Sequence, residues 1–202
     1  MSPPQPESLS IAGPTGTLEA IIEDPAPGTP PAACIVVCHP HPLHGGTMHN
    51  KVVTTLARAG NELGAPSLRF NYRGVGASEG SFDESRGETD DALAAVAVAR
   101  QRWPQAVLWL AGFSFGGHIA LRASTRSGVN PARLITVAPA FTRYYQSASE
   151  VLVPSCPWLV IQGDADEVID PQDVLAWCAA LQPPPRTAVL PGVGHFFHGR
   201  LN

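Results

Sequence analysis

The most constraining stretch of this chain is Gly112-Phe113-Ser114-Phe115-Gly116, which follows the apolar run Ala106-Val107-Leu108-Trp109-Leu110-Ala111 and opens into His118-Ile119-Ala120-Leu121-Arg122-Ala123. The apolar run reads as a buried strand and the sequence after it as a helix, so Ser114 sits where one becomes the other. A turn that tight accepts only small residues beside it. This accounts for glycine two positions before the serine and two after, while Gly117 leaves the new helix room against the sheet. The hydroxyl is thereby held out at the carboxyl edge of the sheet. Beneath it lies a helix N-terminus whose free N–H belongs to Phe115, aimed where an oxyanion would form. Such a turn is a nucleophile elbow, and it needs strands and helices alternating on either side.

The rest of the chain supplies that alternation. Leu9 to Ala12 and Thr17 to Glu23 flank Gly13-Pro14-Thr15-Gly16 as an antiparallel hairpin at a sheet edge, and Pro25 to Pro31 is a stiff connector. Strands are then expected at Ala33–Cys38, Pro66–Asn71, Ala106–Ala111, Arg133–Ala138, Trp158–Gln162 and Thr187–Leu190. Helices are expected at Thr47–Leu63, Glu84–Arg102, Phe115–Ser127 and Pro171–Leu181, with a short one within Phe141–Ser149. Runs such as Cys34-Ile35-Val36-Val37-Cys38 are apolar throughout, as strands covered on both faces must be. The prediction is an α/β fold: a mostly parallel central sheet with helices on both faces and an N-terminal antiparallel hairpin. With 202 residues, 44% of them hydrophobic, residues 1–202 read as a single domain without internal repeats.

Charge and leader sequence exclude several classes of partner. A net charge of −4 offers no basic field for phosphates, which argues against nucleic acid. The apolar runs are shorter than the roughly 18 residues of a membrane span, and Met1-Ser2-Pro3-Pro4-Gln5-Pro6 lacks the basic and apolar regions of a signal peptide. The expectation is a soluble, cytoplasmic protein that binds no membrane. Cys34 and Cys38 share one strand, where four residues of about 3.3 Å each hold them about 13 Å apart, too far for a bridge. They and Cys156 and Cys178 are expected as buried free thiols.

In an open α/β sheet the loops beyond the carboxyl ends of the strands meet at one crevice. Here they carry Gly163-Asp164-Ala165-Asp166-Glu167-Val168 and Gly192-Val193-Gly194-His195-Phe196-Phe197. Serine, acid and histidine in that order match an α/β-hydrolase triad. The sequence also holds Cys38-His39-Pro40-His41-Pro42-Leu43-His44-Gly45-Gly46 and Arg69-Phe70-Asn71-Tyr72-Arg73-Gly74-Val75-Gly76-Ala77-Ser78. On these five motifs nearly the whole chain resembles the small α/β hydrolases without a cap domain, the dienelactone-hydrolase-like group.

The resemblance implies a serine hydrolase with Ser114 as nucleophile. It places the acid at Asp166, past the turn, with Asp164 as the rival bonded to its own turn backbone; Asp170 and Asp173 instead cap and charge the next helix. His195, between Gly194 and Phe196, is the base, and His198 a surface residue. The resemblance also implies a final helix after the His195 loop, before which the sequence stops.

Four histidines, His39, His41, His44 and His49, invite a metal reading, but no carboxylate arrives at ligand spacing and the only thiol, Cys38, lies inside the strand. The segment occupies the position of an oxyanion loop instead. Pro40 and Pro42 have no N–H, so His41 is the expected donor beside Phe115, with Leu43 the runner-up. Arg73 to Gly80 has Gly-x-Gly spacing but opens into a polar loop rather than a helix, which rules out a dinucleotide fingerprint; a structural turn braced by Arg73 or Asn71 fits better.

The expected reaction is acyl transfer from a small-molecule ester to water, with no metal or organic cofactor. Peptides, amides and thioesters are alternative substrates for the same triad, and a non-catalytic binding protein of the same fold is the alternative from another class. Phe113, Phe115, Phe141, Tyr144, Tyr145, Phe196 and Phe197 are candidates to line an apolar crevice, with core packing the expected role for at least half of them. Oligomeric state has no signal in the sequence.

Overall fold

The computed structural model describes residues 6–24 and 30–201, so most of the proline-rich connector lies outside the described residues. The hairpin is formed by β1 (Glu7–Gly13) and β2 (Gly16–Glu23), paired antiparallel from Glu7 opposite Ile22 to Gly13 opposite Gly16. Strands β3 (Ala33–Cys38), β4 (Ser67–Phe70), β5 (Val107–Phe113), β6 (Arg133–Val137), β7 (Trp158–Gly163) and β8 (Arg186–Leu190) run parallel to one another. The spatial order is β1-β2-β4-β3-β5-β6-β7-β8, with β2 antiparallel to β4.

Helices α1 (Lys51–Glu62), α2 (Arg86–Arg102), α3 (Phe115–Ser124), α4 (Phe141–Tyr144) and α5 (Pro171–Ala180) provide the connections. All six residues of β3 are buried, and successive side chains enter two different cores. Cys34, Val36 and Cys38 join the larger one, with Ala92, Val96, Ile119 and Val174 of α2, α3 and α5. Ile35 and Val37 join the smaller one, with Val52, Val53 and Ala57 of α1 and, from beyond β8, Val193 and Phe197. This alternation is the period-2 geometry of a strand covered on both sides, and each buried Val or Ile contributes about 1.5–3 kcal/mol. The four cysteines are free thiols, three of them buried and Cys156 partly so.

Element ends depart from the sequence expectation where side chains cap the backbone. Helix α1 starts at Lys51 rather than Thr47, because Asn50 Oδ1 accepts Val52 N–H at 2.9 Å and stops the preceding turn from joining the helix. Helix α2 starts at Arg86 rather than Glu84. Glu84 and Ser85 have φ of 49° and 72°, outside the helical range, and the Glu88 carboxylate accepts the N–H groups of Asp83 and Ser85 at 2.8 Å. Strand β5 continues through Gly112 and Phe113 up to the elbow itself.

Candidate active site

The elbow is held by close backbone packing. A Cβ on Gly112 would stand 2.0 Å from Gly116 O, and one on Gly116 would stand 2.2 Å from Cys38 O, so both positions must lack a side chain. Gly117 is less critical, its nearest neighbour being Pro139 Cβ at 3.1 Å. Ser114 has φ 55° and ψ −115°, a conformation that costs a non-glycine residue on the order of 1–3 kcal/mol. Its N–H donates to Val137 O at 2.9 Å and its carbonyl accepts Ala140 N–H at 3.2 Å, tying the strained residue to β6 and to the start of α4.

The three side chains nominated by the sequence meet at this point. His195 Nε2 lies 3.2 Å from Ser114 Oγ, and His195 Nδ1 lies 2.8 Å from Asp166 Oδ2. The carboxylate can only accept, so Nδ1 carries the proton and Nε2 offers its lone pair to the serine hydroxyl. Asp166 Oδ1 accepts the N–H groups of Val168 and Ile169 at 2.9 and 2.8 Å. Burial opposes ionisation of Asp166, but the bonds from His195, Ile169 and Val168 outweigh it and hold the carboxyl below its ordinary pKa. Asp164 is exposed, and its Oδ1 accepts Gly192 N–H at 2.7 Å; it pins the turn after β8 rather than its own turn. His198 is exposed, and Asp170 caps α5 through Gln172 N–H at 2.8 Å.

Two side chains that the sequence reading missed orient this group. Gln162 Nε2 donates to Asp166 Oδ2 at 2.9 Å, and Glu167 Oε2 accepts His195 N–H at 3.1 Å. A buried amide ending an otherwise apolar strand was the available signal for Gln162. Nothing local marks Glu167. Two residues past His195, Phe197 sits in the smaller core, and Arg58 Nη2 of α1 donates to Leu201 O at 2.9 Å, so the segment after the histidine is anchored to α1.

The histidine-rich loop divides into different roles. His39 is fully buried; its Nε2 accepts Tyr72 N–H at 3.1 Å and its Nδ1 donates to Pro40 O at 2.7 Å, while burial pushes its pKa down to about 3. His41 faces the cavity at the elbow, its ring centroid 4.9 Å from that of Phe115. Its N–H finds no acceptor among the described residues, whereas Leu43 N–H donates to His41 Nδ1 at 3.2 Å. Phe115 N–H, at the first position of α3, has no acceptor in a preceding helical turn. Among the described residues no three His, Cys, Asp or Glu side chains form a metal-binding group.

The loop after β4 is braced as a structural turn. Arg73 clamps Asp91 of α2 through Nη2 at 2.7 Å and Nε at 3.0 Å. Asn71 Oδ1 accepts Met48 N–H at 2.8 Å while its Nδ2 donates to Glu19 of β2 at 2.7 Å, linking the hairpin to the end of the His41 loop.

The cavity beside Ser114 holds about 350 Å³ and is lined by His41, Phe115, Tyr144, Val168, His195 and Phe196 among others. Of the seven aromatic candidates, Phe115, Tyr144 and Phe196 line it; Phe113, Phe141 and Phe197 are buried in the cores and Tyr145 packs beside them. A larger hollow of about 560 Å³, between Val153–Trp158 and Gln182–Arg186, is far from these groups along the strands and shares no residue with the site.

Residues 138–157, between β6 and β7, form only α4 and one 3-10 turn, so no cap covers the crevice. The architecture is an α/β-hydrolase fold without a lid. The crystal structure of XC6422 from Xanthomonas campestris, described as an α/β serine hydrolase without lid, matches it with a TM-score of 0.90 and 44% identity, over 100% of this chain and 90% of that one. An α/β serine hydrolase homologue from Coxiella burnetii gives 0.89 and 44%, over 96% and 91%. Uncharacterised protein RP471 of Rickettsia prowazekii is 37% identical over 166 residues, which are 80% of this chain and 68% of its own length. Residues 29–154 match the family described as serine aminopeptidase, S33, and the chain belongs to that family.

Proposed function

We propose that this protein is a serine hydrolase that cleaves small carboxylic esters through an acyl-enzyme. The observation that carries the reading is the unbroken relay from Ser114 Oγ through both nitrogens of His195 to Asp166 Oδ2, at 3.2 and 2.8 Å.

Ser114 Oγ attacks the ester carbonyl carbon while its proton passes to His195 Nε2, and Asp166 stabilises the imidazolium through Nδ1–H. The N–H groups of Phe115 and His41 receive the negative oxygen of the tetrahedral intermediate. Collapse breaks the bond to the alcohol oxygen, which takes the proton from Nε2 and leaves. Water then attacks the acyl group by the same route, giving its proton to His195, and the acid departs as Ser114 is restored. Only ester and water are consumed, so the reading requires no cofactor.

The decisive measurement is labelling by a fluorophosphonate probe together with hydrolysis of p-nitrophenyl acetate. Wild-type protein should do both, and Ser114→Ala and His195→Ala, if folded, should lose roughly 10⁶ in kcat, whereas exposed His198→Ala should change little. Turnover retained in Ser114→Ala would reject the nucleophile.

A further inference from the structure

The cavity beside Ser114 has an uneven charge. Although acidic residues outnumber Lys and Arg by 17 to 13 in the chain, the cavity lining contains Arg143 and no aspartate or glutamate. The nearby carboxylates are engaged behind the imidazole: Asp166 with His195 Nδ1 and Glu167 with His195 N–H. Neither lines the cavity.

Arg143 belongs to α4, immediately after Ala140, whose N–H is bonded to the Ser114 carbonyl. Its exposed side chain lines the cavity, and its Nη2 donates to Val168 O at 2.9 Å, which leaves other N–H groups available. The two arginines buried in the fold, Arg69 and Arg73, are matched to Glu23 and Asp91 at 2.7 Å; Arg143 has no carboxylate partner among the described residues. Its charge is felt inside the site. The His41 imidazole is held below its ordinary pKa by burial first, then by repulsion from His44 and from Arg143.

We propose that Arg143 is a specificity-determining residue that binds a carboxylate carried by the substrate, so that the preferred substrates are esters bearing one free carboxylate. This rests on the ester-hydrolase reading above. A guanidinium presents paired N–H groups matched to a carboxylate, and a single cation suits one negative charge better than a phosphate dianion. The same lining disfavours the substrate class in the family's description. The α-ammonium group of a peptide would meet Arg143 and find no carboxylate in the cavity to hold it.

The test compares substrates of equal length with and without the charge. In one arm the carboxylate is on the acyl side, monomethyl adipate against methyl hexanoate; in the other it is on the alcohol side, the hexanoyl ester of glycolate against ethyl hexanoate. In at least one arm kcat/KM for the charged ester should exceed the neutral one by about tenfold at low salt. That preference should shrink with added salt, disappear in Arg143→Gln and return in part in Arg143→Lys. An Arg143 that merely props Val168 would lower both members of a pair equally and leave their ratio unchanged, which would overturn the proposal. So would neutral esters cleaved as fast as charged ones in both arms, or alanine p-nitroanilide cleaved faster than its N-succinyl derivative. These results leave the ester-hydrolase reading standing; failure of that reading is instead the absence of both fluorophosphonate labelling and any ester cleavage, and it removes the inference with it.

Discussion

His195 Nδ1 and Asp166 Oδ2 stand 2.8 Å apart with their side chains 3% and 0% exposed, so the pair is shut off from water on the side away from the serine. Only Nε2 of the imidazole faces a reactive group, Ser114 Oγ. The carboxylate therefore fixes both the tautomer and the direction in which the ring can accept a proton.

Replacing Asp166 by Asn should lower kcat by on the order of 10⁴ with little change in KM, because an amide would favour the wrong tautomer. Asp164→Asn disturbs only the Gly192 contact and should cost less than a few-fold in kcat. Steady-state kinetics on p-nitrophenyl butyrate separates the two; a larger loss in Asp164→Asn would move the acid by two residues.

Acid should destabilise the fold well before the carboxylates titrate. Burial pushes the pKa values of His39 and His118 from 6.5 to about 3, so each stays neutral in the folded state while the unfolded chain takes up a proton below pH 6.5. Their contribution to stability is complete above pH 6.5 and is lost as pH falls toward 3, by up to about 1.4 kcal/mol per pH unit for each histidine. His118 stacks on Tyr144 at 4.2 Å with neither ring nitrogen bonded among the described residues. His118→Phe preserves the stacking and should flatten the slope by about one proton in urea unfolding between pH 7.5 and 4.5. An unchanged slope would mean that His118 does not bury a neutral ring.

Gly116→Ala places a methyl group against the backbone oxygens of Cys38 and His39, at 2.2 and 2.6 Å, and no rotamer change can relieve it. Stability should fall by about 1–3 kcal/mol. Because α3 must move away from the loop carrying His41, kcat should also drop, by about 10²-fold. Urea denaturation and ester kinetics on the same preparation test both, and an active variant of normal stability would contradict the packing.

The absence of a lid sets a preference among neutral esters. Each CH₂ that is buried contributes about 0.8 kcal/mol, but acyl carbons projecting beyond the crevice gain nothing. kcat/KM should be highest from acetyl to hexanoyl and lower by dodecanoyl, without a jump at the micellar concentration of the substrate. A steady rise through dodecanoyl would require Phe141–Ser149 to fold over the site.

Most strands and helices were legible because each is a continuous apolar run or an amphipathic segment ended by Gly, Pro, Asn or Asp. Ser114 and His195 were legible as polar residues in glycine-bearing loops after β5 and β8, whereas the loop after β7 offers both Asp164 and Asp166 and only the family resemblance chose between them. Arg143, Gln162 and Glu167 were not legible, since their neighbours come from distant segments: Arg143 meets Val168, Gln162 depends on which way Asp166 turns, and Glu167 reaches the backbone at His195. Core packing was expected for at least half of the seven aromatic residues, and which of them it takes depends on the turn. Phe113 and Phe115 flank the same serine, but the turn sends Phe113 into the α1-side core and Phe115 to the cavity.

The contact of Glu19 with Asn71, and of Asn71 with Met48, makes the N-terminal hairpin a tie-rod. It spans from the outer edge of the sheet to the loop from which His41 projects, through one carboxylate and one amide. Distance along the chain thus misstates the hairpin's reach: trimming or fusing the first two strands would slacken the wall of the crevice, although every residue of that wall would still be present.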